Sequence, residues 1–183
     1  MRCLYPVVEF AITLILFLAV IPGSARAETV NLLSLQEGCL PLLVPENYGG
    51  WDAHNLLDDS PASGWASATG KVADNVFVFE MIGEAMIESF EFDTAGVDTK
   101  GSAAKDIVVE ISAQSATAGF APVLRTSLAD ITNGQKFKAE KAVSGRWVRL
   151  TIVNNHGSGE YTEMFSFRGH GEAPKTENFA DIS

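Results

Sequence analysis

A two-residue hydrophobic period recurs along the chain, with no helical period of comparable length, and this most constrains the fold. It is clearest at 146–154, where Val148, Leu150 and Ile152 share one face and Trp147, Arg149 and Thr151 the other. Segment 106–113 repeats it, with Ile107, Val109 and Ile111 opposed to Val108, Glu110 and Ser112. Further strands are expected at 30–35, 40–44, 75–81, 86–93, from 137 onward and at 164–168, at intervals closed by turn residues. Alternation places one face of each strand inward and the other toward water, so the pattern predicts an antiparallel sandwich or jelly roll. Segment 51–57, opened by Asp52, is expected to make about two helical turns. Trp65 and Trp147 are expected in the core.

The two ends read differently. Arg2, the apolar run 10–21, Pro22-Gly23 and Ala25-Arg26-Ala27 have the layout of a secretory signal peptide over residues 1–27, cut before Glu28. A membrane anchor is the rival reading, but the run is short for a span of about 20 residues. The cleaved chain would be secreted, periplasmic or cell-surface. From Pro174 the chain turns polar, and residues 173–183 are expected to be a disordered tail or the start of a linker.

Charge narrows the partners. The formal net charge is −10, and removing Arg2, Arg26 and Glu9 with the leader makes it −11. An acidic surface disfavours nucleic acid and anionic lipid. Membrane binding would also need apolar spikes with basic company, and the best spike, 118–122, has only Arg125. Of the two cysteines, Cys3 leaves with the leader. Cys39 then has no internal disulfide partner and is expected as a small buried hydrophobe.

The most informative stretch is Asn55-Leu56-Leu57-Asp58-Asp59-Ser60-Pro61-Ala62-Ser63-Gly64-Trp65. Its turn formers fold the loop back so that its oxygens converge, and its Trp anchors it. It resembles the "N-a-[IL]-D-G-d-p-x-T-x-W" loop of discoidin (F5/8 type C) domains, the galactose-binding-like family that includes carbohydrate-binding module family 32. Asn75 to Glu80, Ile87 to Phe92, Ile107 to Ser112, Arg146 to Leu150 and Glu163 to Gly169 are similar to later motifs of that family, in the family's order. The resemblance covers 31–171 and implies a discoidin-like domain over 28–172, an all-β, eight-stranded antiparallel jelly-roll β-sandwich.

The resemblance also implies a possible structural Ca²⁺, with Asp58 as carboxylate ligand, Ser63 at the hydroxyl position and Glu163 completing the site. Here Ser60 replaces a family Asp or Asn, and Asp59 replaces a Gly at a position that can require positive φ. The alternative is a metal-free turn in which Asp58 and Ser63 bond backbone NH groups. Asp59 is expected to face solvent.

Carbohydrate-binding members of that family use loops at one end of the sandwich. Two loops here carry an aromatic face and planar polar groups, which sugar recognition needs. The first offers Tyr48, Trp51 and His54; the second offers Asn154, Asn155, His156 and Tyr161. Taken singly, each residue is expected to pack a rim or shape a turn. As a set they point to a glycan or other polar ligand, with a protein-binding adhesion or scaffolding module as the alternative. The chain carries no GxSxG, HExxH or P-loop, and the i,i+4 pair His54 and Asp58 lacks a third partner, so no enzyme is expected. Arg146 and Arg149 are expected to pair with carboxylates on neighbouring strands.

Overall fold

The structure is a computed structural model that describes residues 29–141 and 143–172. The segments read as signal peptide and polar tail lie outside these residues. Ten strands follow in order: β1 Thr29–Asn31, β2 Leu40–Leu43, β3 Trp65–Ala66, β4 Asn75–Asp93, β5 Asp106–Ser112, β6 Ala121–Ser127, β7 Gln135–Lys138, β8 Ser144–Ile152, β9 Glu163–Met164 and β10 Ser166–Glu172. Eight of them form one antiparallel curled sheet, and β3 pairs with β9 as a separate ribbon.

The curl comes from β4. Its first half pairs with β2 and β8, from Asn75 opposite Ile152 to Glu80 opposite Trp147. Its second half pairs with β10 and β7, with Phe90 opposite Gly169 and Phe137. The register breaks between Glu80 and Ala85, where Gly83 lets the chain bend from one layer into the other. Segments 75–81 and 86–93, expected as two strands, are therefore one. β8 continues outward to β5 and β6. The result is the galactose-binding-like jelly-roll sandwich that the alternating segments and ordered motifs imply.

The core sits between the layers. Val148, Leu150, Ile152, Ile107, Val109 and Ile111 all point into it. Phe167 lies at its centre, 5.2 Å from Phe92, 5.7 Å from Phe79 and 6.0 Å from Phe90 between ring centroids. Trp65 is fully buried against Phe77. Cys39 is fully buried, and burial, with Glu80 adding to it, pushes its thiol up to about 12. It is the inert small hydrophobe expected.

Several local expectations are corrected. Trp147 is half-buried on the outer face of β8, with the Arg146 guanidinium 5.7 Å from its ring. Its position in the alternation, opposite Val148, already implied this. Segment 51–57 makes one 3₁₀ turn, Ala53–Leu56, because Asp52 caps it and Leu57 N already bonds back to His54 O. The opening strand is confined to Thr29–Asn31, since Leu35 N bonds to Leu57 O and the chain turns. Segment 164–168 is split between β9 and β10. The spike at 118–122 leads into β6, which was not anticipated, and Phe120 lies half-buried under the Arg149 guanidinium at 4.3 Å. The arginine expectation holds: Arg146 pairs with Glu80 at 3.0 Å and Arg149 with Glu110 at 2.6 Å.

Candidate functional site

The 55–65 loop closes itself through side chains. Asp58 Oδ1 accepts from Ser60 N at 2.8 Å and Asp58 Oδ2 accepts from the Ser63 hydroxyl at 2.6 Å. Asp59 has φ 57°, in the left-handed region where the discoidin pattern places glycine. Its carboxylate is exposed, as expected, but it is also held: Arg168 Nε donates to it at 2.7 Å and Asn31 Nδ2 at 3.3 Å. These contacts offset the cost of a non-glycine residue with positive φ.

The same loop positions its neighbour. Asn55 Nδ2 donates to Gly64 O at 2.8 Å and to Gly50 O at 3.3 Å, tying the 48–54 turn to the loop. That turn is further fixed by Trp51 N to Tyr48 O, Tyr48 N to Ala66 O and Ala66 N to Trp51 O. Tyr48 and Trp51 are thereby presented beside the β3–β9 ribbon.

A second loop meets them there. Asn155 Nδ2 donates to Ser158 O and, at 2.7 Å, to Tyr161 O, which sets the Tyr161 backbone. The Tyr161 ring stands edge-on to Tyr48 with centroids 5.0 Å apart. Thr69 donates to its hydroxyl at 3.3 Å. Tyr48, Trp51 and Tyr161 line a cleft of about 150 Å³, together with Asp98, Thr99 and Glu163; Ala66 borders it as well. Trp51 is backed by Phe165, edge to face at 5.7 Å, in a small apolar cluster with Val97 and Ala103.

The cleft is acidic without compensation. Glu163 is only 8% exposed. Among the described residues, neither it nor Asp98 forms an ion pair with a Lys, Arg or His. Burial raises the Glu163 carboxyl above its ordinary range, and the Asp98 charge raises it further. The Ser102 hydroxyl opposes that rise but stands outside hydrogen-bonding geometry.

Of the ligand residues anticipated, Tyr48, Trp51 and Tyr161 share this cleft. The other four do not line it. His54 is exposed and bonded to Asp52 at 3.1 Å. Asn154 holds Asp106 through both its amide atoms. Asn155 shapes the turn, and the His156 ring bonds Leu128 O at 3.1 Å. Asp98 and Thr99 were not anticipated. They follow a strand in a short polar turn, and nothing local distinguishes them from any solvated loop.

The three residues expected as calcium ligands fall in two places. Asp58 and Ser63 are bonded to each other, whereas Glu163 faces the cleft, which neither of them lines. Among the described residues, no three His, Cys, Asp or Glu side chains gather as a metal site. A cation at the loop would require Ser63 to turn from donor to Asp58 into ligand.

Comparison with known proteins follows the fold. The family model described as Sad1/UNC-like C-terminal matches residues 78–173, just over half of the chain. No curated protein matches the chain. Among solved structures, the family 32 carbohydrate-binding module of Clostridium perfringens NanJ, in complex with galactose, is similar at TM-score 0.64 and 9% identity. It covers 78% of this chain and 99% of that one. The C-terminal domain of a Bacteroides fragilis chitobiase is similar at TM-score 0.65 and 13% identity, covering 80% and 99%. A chitosan-binding module from a Paenibacillus sp. chitosanase/glucanase is similar at TM-score 0.60 and 18% identity, covering 78% and 99%. At these identities the likeness is one of fold.

Proposed function

This chain belongs to the Sad1/UNC-like C-terminal family, and from that premise and the geometry of its cleft we propose that it is a non-catalytic, exported carbohydrate-binding module. The observation that carries the reading is the convergence of Tyr48, Trp51 and Tyr161 from two separate loops on one cleft with a Thr hydroxyl and two carboxylates. Aromatic faces pack on the C–H side of a sugar ring, and the polar groups take its hydroxyls. Carbohydrate-binding modules of the same fold support the reading.

A glycan array probed with the domain tests this. Trp51→Ala or Tyr161→Ala, folded as judged by circular dichroism, is expected to cost about 2 kcal/mol or more of affinity. His54→Ala, outside the cleft, is the control. An array left dark by the folded domain would refute the proposal.

One observation favours a second reading, a protein-binding module. Leu40, Leu42, Leu43 and Val44 are each about half exposed on and just after β2, and Ile82 at the β4 bend is 68% exposed. Such a row on a strand paired on one side suits a protein partner. Capture of a protein by a glycan-inert domain, abolished by Leu42→Asp, would favour it. For the 58–63 loop the metal-free turn is the proposal and structural calcium its alternative.

A further inference from the structure

Two carboxylates line an aromatic cleft, and among the described residues neither is in an ion pair. This arrangement is costly. Glu163 is more than nine-tenths buried, faces the cleft and lacks an ion-pair partner among the described residues, and Asp98 adds like charge at its rim. Elsewhere the molecule gives some of its partly buried carboxylates ion-pair partners. Glu91 is met by Lys136, Arg168 and His170, and Glu110 by Arg149. Asp93, as buried as Glu163 and also without an ion pair, is instead met by the Ala95 N–H at 2.7 Å and does not line the cleft.

Resting on the carbohydrate reading of this cleft, we propose that its ligand is an amino sugar bearing a free, protonated amine, held between Glu163 and Asp98 while the ring lies against Trp51 and the tyrosines. An ammonium suits both halves of the site. It forms charge-assisted hydrogen bonds with the carboxylates, and the electron-rich faces of Trp and Tyr attract it. A neutral sugar offers Glu163 hydroxyl donors but no counter-charge, and an acidic sugar would meet like charge. The raised carboxyl of Glu163 fits a group whose charge is stabilised only when the ligand arrives.

The test is calorimetric titration with a glucosamine oligomer, its fully N-acetylated counterpart and a neutral galactose oligomer, at a pH where the amine is protonated. The glucosamine oligomer is expected to bind at least about tenfold more tightly than the acetylated one, about 1.4 kcal/mol. Added salt should erode that preference. Asp98→Asn and Glu163→Gln should each reduce it; Asp98 is exposed, so its variant folds without burying a new group. Equal binding of all three sugars would overturn the amine inference and leave the carbohydrate reading standing. Absence of binding by every sugar would overturn both. A lysine-rich peptide binding where the glucosamine oligomer does not would also overturn the inference.

Discussion

Trp51 is held in the cleft by a packing contact that can be perturbed without touching any ligand. A Cβ at Gly96 would lie 2.2 Å from Cε1 and 2.4 Å from Cδ1 of Phe165, the ring that backs Trp51. To restore ordinary contact near 3.4 Å the ring must withdraw by about 1.2 Å. Phe165 is 5% exposed and enclosed by Val97, Ala103 and Trp51, so the displacement passes into the Trp51 indole. Overpacking of this kind costs about 1–3 kcal/mol. At roughly 2–4 °C per kcal/mol for a domain of this size, Gly96→Ala should lower Tm by roughly 2–12 °C. Glycan affinity should fall as well. Thermal denaturation by circular dichroism reads the first effect and calorimetric titration the second. In the double variant with Phe165→Leu, the smaller side chain makes room, and the two costs should add to less than their sum. A Gly96→Ala protein that melts and binds as the parent does would refute the packing chain from Gly96 through Phe165 to Trp51.

Other consequences are equally direct. Glu163 has its folded-state carboxyl raised above the ordinary value of 4.5. Its relative stability is thus fully present below that value and lost as pH rises through the folded pKa. Glu163→Gln should therefore melt higher than the parent at neutral pH, by a margin that shrinks on acidification. A lower Tm at neutral pH would contradict the assignment. Asp58→Ala removes two hydrogen bonds within the 58–63 loop and should cost about 1–2 kcal/mol in denaturant titration. If the loop is a metal-free turn, millimolar calcium leaves the parent's Tm unchanged, and a calcium-dependent rise would establish the metal instead. Phe167→Ala, at the centre of three neighbouring phenylalanine rings, should cost about 3–5 kcal/mol by chemical denaturation. A cost under about 1 kcal/mol would mean the layers are not packed on that ring.

The amino-acid order alone determined the architecture. Period-2 burial is a local property, so Ile107, Val109, Ile111, Val148, Leu150 and Ile152 could be assigned to the core before any neighbour was known. The 55–65 loop was equally legible, because Asp, Ser, Pro and Gly act on their own backbone within a few residues. Tertiary structure decided what lies far apart in the chain. Gly83 looks like a strand end, yet β4 passes through it, because pairing with β8 on one side and β10 on the other outweighs a glycine's local cost.

The cleft shows the same division. Its three aromatics were visible as loop residues with unusual side chains. Asp98 became part of it only because the 94–99 turn packs beside Trp51 and Glu163, a contact that sequence spacing does not encode. Asn154, Asn155 and His156 looked like ligand groups and instead bond Asp106, Tyr161 and Leu128. Whether a polar side chain serves a ligand or the backbone depends on which acceptor lies within about 3 Å of it, and only the folded chain sets that distance.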